Sequence, residues 1–122
     1  MVKDSGTRET YASGAMRDNR TGKGRFDLIS PIFLRRLAIR LEEGALKYSP
    51  RNWEKGMSAS RYLDAVMRHT SQILDGETDE DHAAAVAFNI MAYIHTVHKV
   101  EVGELPRSLF DLPSKMKESA DE

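Results

Sequence analysis

The stretch AAAVAFNIMAYIHTVHKV, residues 83–100, decides the fold that we expect for this chain. It is apolar around much of its circumference at helical spacing, and its alanine-rich first half allows another backbone to approach closely. We predict a helix that begins at Thr78 and ends near Val102, in front of Gly103 and Pro106. A helix of this kind lies at the centre of a bundle or is buried in an oligomer.

Two further helices are predicted upstream of this one. The first begins at Ser30-Pro31, an N-cap residue followed by proline at the first helical position, and it ends at Pro50. The second runs from Ser58 to about Leu74. Because no strand pattern is convincing, we predict an all-α class with a compact bundle of three main helices. Three helices give a thin core, so we expect a homo-oligomer, a dimer or tetramer, to complete it.

The composition narrows the classes of function. A chain of 122 residues suggests one domain, and a net charge of −1 gives no basic field for binding nucleic acid. The chain has no cysteine, which excludes disulfides and zinc–thiolate sites. We find no apolar run near 18 residues and no signal peptide. We therefore expect a soluble cytoplasmic protein that binds neither membranes nor nucleic acid.

The two ends differ from the helical core, which we assign to residues 30–103. Residues 1–29 form a basic, glycine-rich arm, and its segment RDNRTGKGR (17–25) has the cations and flexible backbone that can wrap phosphates. The segment is not a P-loop, because Gly24 follows Lys23 where Ser or Thr is required. Residues 104–122 form an extension with an apolar stretch, LPRSLFDLP, and a polar tail that we expect to be frayed.

Adjacent acids in the first helix have two readings. Glu42 and Glu43 lie at the flank of the apolar stripe and beyond it, where acids are usually solvated. Lys47 follows Glu43 at i+4, a favourable spacing for a surface ion pair. The same two glutamates could instead bind a metal ion.

A second acidic cluster, DGETDED, occupies residues 75–81. Thr78 and Asp81 match a capping box with Asp in the place of Glu. Asp81 also falls on the line of Ala85, which points its carboxylate inward, and an inward carboxylate needs a cation or a metal as its partner. Carboxylates from separate helices are the hard oxygen ligands that suit Mg²⁺ or Mn²⁺.

The histidines and the single tryptophan have no familiar motif. His69 and His95 fall on apolar faces, which favours a role in the core, whereas His82 and Asn89 share a face of the third helix. Trp53 could close one end of the core, which is common for a lone tryptophan, or stack on a base.

Four segments together resemble one protein family. The segments are GAMRDNRTGKGRFDLISPIFLRRLA, RLEEGALKYSPRNWEKG, SRYLDAVMRH and DEDHAAAVAFNIMAYIHT. With them the chain is similar, from about residue 13 to residue 97, to the dATP/dGTP diphosphohydrolases found largely in bacteriophages. These are a compact branch of the MazG-like all-α nucleoside triphosphate pyrophosphohydrolases, and a MazZ-like dGTP pyrophosphohydrolase falls within the resemblance.

The resemblance implies an enzyme that cleaves a purine (deoxy)nucleoside triphosphate, dGTP, GTP or dATP, to the monophosphate and pyrophosphate with Mg²⁺ or Mn²⁺, in nucleotide-pool remodelling. The implied metal ligands are Glu42, Glu43, Glu80 and Asp81. Glu43 is also expected to orient or deprotonate water. The candidates for binding phosphates are Lys23, Arg25, Lys47, Lys55 and Arg61, with Lys47 also assigned to catalysis. Phe26 and Trp53 are candidates for base stacking, and Asp27, Asn52 and Asn89 for contacts to purine edges.

The sequence departs from the MazG pattern of EExxE and ExxD. Leu46 and Lys47 occupy the region where a further Glu is expected, and DEDH contains no clean ExxD. Two alternatives therefore stay open. One is a small helical interaction module in which the acids are helix caps, and the other is an enzyme acting on dUTP, dCTP or an alarmone-like nucleotide.

Overall fold

A computed structural model describes residues 3–114, and it is built mainly of helices. The three long helices are α1 (Pro31–Lys47), α2 (Ala59–Leu74) and α3 (His82–Glu101). Short 3-10 helices occupy Phe26–Leu28, Asn52–Lys55 and Arg107–Leu109. The predicted all-α class and its three main helices are confirmed. The expected fraying of the polar tail concerns residues 115–122, which lie outside the described residues.

A small hairpin precedes the helices. Strands β1 (Arg8–Thr10) and β2 (Met16–Asp18) pair antiparallel, with Arg8 opposite Asp18. Our prediction that the chain has no strands is wrong at this point. Each strand has three residues and both sequences, RET and MRD, are mostly polar, so neither is long enough to show an alternating pattern. The chain divides into two compact units, one ending at Ser30 and one beginning at Pro31.

The start of α3 also differs from the prediction. The helix begins at His82 instead of Thr78, and Asp81 is the N-cap residue. Its carboxylate accepts a hydrogen bond from the backbone N–H of Ala84 at 3.0 Å, which is the usual contact of an N-cap side chain. Asp79 and Glu80 lie before the helix, and their carboxylates are bonded to His82 of α3 and Arg40 of α1, respectively. The acidic segment therefore crosses from α2 to α3 as a loop.

The core lies between α2 and α3. Its fully buried apolar side chains are small apart from Tyr62 and Val100; the others are Ala59, Ala65, Ala84, Ala85 and Ala92. The Tyr62 hydroxyl accepts a hydrogen bond from Thr96 of α3 and donates one to the Trp53 carbonyl, both at 3.3 Å. Helix α3 packs against α2, α1 and two of the 3-10 helices, which confirms that it is the central helix.

Helix α1 covers this core only partly, and none of its residues is fully buried. Ile32, Ile39 and Leu46 recur every seven residues and are 73%, 44% and 83% exposed. Spacing of this kind forms one stripe along a helix, and it is typical of a seam between packed helices. This stripe, Ile32/Ile39/Leu46, is unpaired within the described part of the chain.

The segment after α3 returns to the start of α2. The Asp111 carboxylate accepts a hydrogen bond from the backbone N–H of Ser60 at 2.9 Å and a second one from its hydroxyl. Ser58, the N-cap residue of α2, makes no side-chain capping bond. Asp111 therefore satisfies a backbone donor at this helix end from 51 residues away. No helix within residues 3–114 is long and apolar enough to cross a membrane.

Gly56 allows the same segment to approach closely. Its φ is +89°, and a Cβ atom at this position would lie 3.0 Å from methyl groups of both Leu105 and Leu109. We expect Gly56→Ala to lower the free energy of unfolding by about 2 kcal/mol, from backbone strain and steric contact together. Urea denaturation measures this change. Gly103→Ala is the matched control, because Gly103 has a φ of +81° but nothing within 4 Å of its added Cβ. Equal losses in the two variants would show that the contact with the leucines contributes nothing.

Candidate functional site

The start of α3 is held to α1 by a bidentate ion pair. Arg36 donates from Nε to one oxygen of Asp81 at 2.9 Å and from Nη2 to the other at 2.6 Å. This guanidinium is the main cause of the low pKa of Asp81, about 2, and the Ala84 N–H lowers it further. The inward carboxylate anticipated from the sequence thus has a cation as its partner.

A parallel contact lies one helical turn further along α1. Nη1 of Arg40 donates to Oε1 of Glu80 at 2.8 Å and lowers the pKa of this carboxyl below its ordinary range. Arg36 and Arg40 stand at i and i+4 on one face of α1. The two arginines were not among the sequence candidates. Their spacing opposite an acidic segment was a signal, but only the fold shows that the segments meet.

Two buried histidines stand beside these carboxylates. Nδ1 of His69 on α2 lies 2.9 Å from Nδ1 of His82 on α3, and both side chains are almost fully enclosed. Nε2 of His82 is bonded to the Asp79 carboxylate at 2.8 Å. Burial is the main cause of the lowered pKa of His69, so this imidazole is neutral near pH 7. An oxygen of Glu80 and one nitrogen of each ring lie within 4.8 Å of one another.

The sequence assigned His69 to the core and placed His82 on the face of the third helix that also carries Asn89. His69 is buried, and so is His82, at 2% exposure. No local pattern indicates that the two rings meet, because 13 residues and a loop separate them. The three residues His69, Glu80 and His82 are the group in the described chain whose geometry suits a metal ion. Glu80 is the member that the predicted metal set shares with this group.

The predicted metal ligands on α1, Glu42 and Glu43, lie further along this helix than Arg36 and Arg40. Glu42 and Glu43 are both exposed, and neither forms an ion pair or hydrogen bond within residues 3–114. The surface ion pair between Glu43 and Lys47 is also absent there, and Nζ of Lys47 lies 5.3 Å from the centre of the Tyr48 ring. On the helix, Glu43 and Lys47 continue the face of Arg36 and Arg40. One charged face of α1 therefore carries all four side chains.

Trp53 packs on α3 at the other end of α1. Its ring is half-buried and meets His95 edge-on, with ring centres 4.9 Å apart, and Phe88 with centres 6.3 Å apart. Arg51, which precedes the 3-10 helix Asn52–Lys55, has a φ of +64°, the left-handed conformation. This turn sets the direction in which the 3-10 helix Asn52–Lys55 leaves α1. The contacts fit the core role considered for the tryptophan, and the stacking role stays a prediction.

The other predicted substrate contacts of the helical unit are on or near its surface. Asn89 is half-buried and donates from Nδ2 to the Ala85 carbonyl at 2.8 Å. Asn52 is half-buried, and Lys55 is exposed. Arg61 is exposed and pairs with Asp64 at 3.1 Å.

The predicted arm residues have partners within their own unit. Lys23 pairs with Asp18 at 3.1 Å, and Arg25 with both oxygens of Asp27 at 2.8 Å. Arg25 is therefore the main cause of the lowered pKa of Asp27. The Phe26 ring is 77% exposed, which leaves an aromatic face in solvent.

The fold and the junction of α1, α2 and α3 define a small all-α protein with a charged polar cluster at the start of its central helix. The chain belongs to the family described as dATP/dGTP diphosphohydrolase, N-terminal, whose model matches residues 13–104. The resemblance identified from the sequence is thereby confirmed.

One curated relative gives the scale of this similarity. The dATP/dGTP diphosphohydrolase of Salmonella phage PMBT28 is 39% identical to the chain over 75 residues. The match covers 57% of this chain and 26% of the phage protein, so the chain spans about a quarter of the relative's length. No solved structure gives a significant match.

The ion pair between Arg36 and Asp81 makes stability depend on pH. The pKa of Asp81 is about 2 in the folded protein against an ordinary value of 3.8. Its contribution is therefore fully present above about pH 4 and is lost as the pH falls towards 2. We expect Asp81→Asn, which retains a good N-cap residue, to cost about 1 kcal/mol at pH 7, since the pair is partly exposed. In urea denaturation the difference from the unsubstituted chain should still be nearly complete at pH 4 and should shrink at pH 2.5.

The matched control is Asp64→Asn, which removes the exposed pair with Arg61. Its effect should stay within about 0.5 kcal/mol at each pH. A cost of Asp81→Asn that is the same from pH 7 to pH 2.5 would contradict the assignment to the charge.

Proposed function

We propose that this chain hydrolyses a purine (deoxy)nucleoside triphosphate, dGTP, GTP or dATP, to the monophosphate and pyrophosphate. The observation that carries the proposal is the family match over most of the chain, together with the relative named as a dATP/dGTP diphosphohydrolase. The resemblance to MazG-like enzymes suggests the cleavage products, and a role in nucleotide-pool remodelling follows from them.

The proposed cofactor is Mg²⁺ or Mn²⁺, and the donor set supports it in part. Glu42 and Glu43 are exposed and unpaired within residues 3–114, so two hard oxygen donors are available on α1. Glu80 and Asp81 are engaged by Arg40 and Arg36, and each becomes a full ligand only when its arginine turns away. When bound, the ion neutralises phosphate charge and lowers the pKa of water.

The charged face of α1 supplies the other groups that phosphoryl transfer requires. A nucleoside triphosphate carries about four negative charges, and enzymes of this class act mainly by positioning and neutralising them. Arg36 and Arg40 are planar cations that bind phosphate oxygens as readily as carboxylates. In the proposed mechanism they exchange their carboxylate partners for phosphates. Glu43 orients or deprotonates the attacking water, and Lys47 on the same face offsets charge on the phosphates.

The remaining assignments rest on the family resemblance. Lys55 and Arg61 are proposed to bind phosphates, Trp53 to stack on the base, and Asn52 and Asn89 to contact purine edges. For the arm we propose the same division of roles, with the phosphates bound by Lys23 and Arg25, stacking by Phe26 and a base contact by Asp27.

The proposal predicts a turnover that depends on both metal and Glu43. With the four dNTPs and GTP, we expect monophosphate and pyrophosphate from purine substrates, separated by ion-exchange chromatography, and none in the presence of chelator. Glu43→Gln should lower kcat at least about 100-fold, the usual loss on removal of a general base. Glu101→Gln, a control at an exposed carboxylate at the end of α3, should leave kcat within about twofold.

The assay also separates the alternatives. Turnover of dUTP or dCTP in preference to purines would assign a different substrate to the same site. The absence of turnover with every nucleotide and both metals would favour a helical interaction module, in which the pairs of Arg36 and Arg40 serve only to fix the fold.

We propose further that a second copy of the chain covers the stripe Ile32/Ile39/Leu46. All three side chains are exposed, while α1 has no fully buried residue, so the single chain leaves a helix seam open. Light scattering coupled to size exclusion should give the mass of a dimer or tetramer. We expect Ile39→Glu to shift the protein to the monomer and Met67→Glu, at an exposed methionine of α2, to have no effect. A monomeric unsubstituted chain would contradict this.

A further inference from the structure

The imidazole pair between α2 and α3 has the composition of a metal site. His69 and His82 are 5% and 2% exposed, and they face each other through their Nδ1 atoms at 2.9 Å. Glu80 stands at the edge of this pair with one oxygen within 4.8 Å of a nitrogen on each ring. The group therefore offers two nitrogen donors and one oxygen donor that converge from a helix, a loop and a second helix.

Two of these three side chains already have the outer hydrogen bonds that metal ligands use. The Asp79 carboxylate accepts from Nε2 of His82 at 2.8 Å, which leaves Nδ1 of that ring as the atom with a free lone pair. Arg40 engages Oε1 of Glu80, so the second carboxylate oxygen has no partner within residues 3–114. A carboxylate behind a histidine fixes the orientation of the ring and raises its basicity.

The spacing of the two rings is close to that of a tetrahedral site. With bonds of about 2.0–2.1 Å from Zn²⁺ to imidazole nitrogen, two nitrogens on one ion stand about 3.3 Å apart. The two nitrogens must therefore separate by about 0.4 Å from the observed 2.9 Å, and both rings must turn so that the Nδ1 atoms, which now point at each other, converge on one ion. In the same step the proton between the two Nδ1 atoms moves to Nε2 of His69, so that both rings bind in the neutral form.

We propose that His69, His82 and Glu80 bind one divalent transition-metal ion of the Zn²⁺ type. Imidazole donors select Zn²⁺, Co²⁺ or Ni²⁺ over Mg²⁺, which prefers oxygen ligands alone. The fourth position is taken by water, because Glu80 and Asp79 are exposed at the mouth of the site. The bound ion joins the end of α2 to the start of α3 across the acidic loop. This site does not rest on the proposed hydrolysis, since it holds the ion in the absence of nucleotide.

The test uses the full chain, stripped of metal with chelator and then titrated with CoCl₂ or ZnCl₂ alone. We expect one Co²⁺ per chain with the visible absorption bands of a four-coordinate nitrogen–oxygen site, and a larger rise in Tm with Zn²⁺ than with the same concentration of Mg²⁺. His69→Asn and Glu80→Gln should each weaken Zn²⁺ binding at least about 10-fold. The matched controls are His98→Asn and Glu77→Gln, two exposed residues outside the group, which should bind Zn²⁺ as the unsubstituted chain does.

Glu80→Gln keeps the test valid if His69→Asn does not fold, because Glu80 lies at the edge of the core; circular dichroism shows which variants are folded. Equal weakening by Glu77→Gln and Glu80→Gln would assign the ion to the acidic segment at large and overturn the proposal. So would the absence of Co²⁺ absorption or of a Zn²⁺-dependent rise in Tm. Nucleotide hydrolysis with Mg²⁺ is a separate measurement, so either proposal can fail alone.

Discussion

The close approach of α2 and α3 is the constraint on which the rest of the structure depends. Alanines on both helices let the two backbones come together, and every fully buried residue of the described chain belongs to one of these helices. The contact between Tyr62 and Thr96 fixes the middle of the pair, and the contact between His69 and His82 fixes the end at the start of α3. Replacing a small residue here by a larger one forces the helices apart, with a cost typical of overpacked cores.

Helix α1 is attached in a different way. Arg36 and Arg40 pair with Asp81 at the N-cap of α3 and with Glu80 in the preceding loop, and partly exposed ion pairs of this kind contribute at most about 1 kcal/mol each. These charged groups can therefore change partners at little cost to the fold. A buried, hydrogen-bonded pair lacks this freedom, because separating it leaves a charge without compensation. Weak electrostatic contacts of this kind suit the proposed role of this face in binding a polyanion.

The sequence predicted the helices well because their signals are local. The spacing of apolar residues, Pro31 at one start and Gly103 after one end are read within a single turn of chain. The start of α3 was missed because the acidic segment 75–81 contains several residues able to cap a helix. Asp81 is the residue that caps the helix, and it also pairs with Arg36, which lies 45 residues away in the chain. The pairing of His69 with His82 likewise depends on how two helices are set against each other, which no local pattern specifies.

The site residues also divide into those that local sequence signals indicate and those that depend on how the helices pack. The sequence singled out polar residues within 40–56 and 79–82, and the family model covers both segments. It did not identify Arg36 and Arg40, because arginines on a helix are ordinarily solvated. Whether Trp53 contacts a base or only α3 is likewise a matter of packing, and the periodicity of the chain carries no information about it.

The bond between Ser60 and Asp111 has a consequence for the order in which the protein takes shape during translation. Helix α2 is synthesised early, but its first turn lacks a side-chain cap until residue 111 has left the ribosome. Until then, the nascent α2 and α3 can pair while the N-terminal end of α2 stays open to solvent. The last part of the described chain thus completes the start of a helix that was synthesised 51 residues earlier.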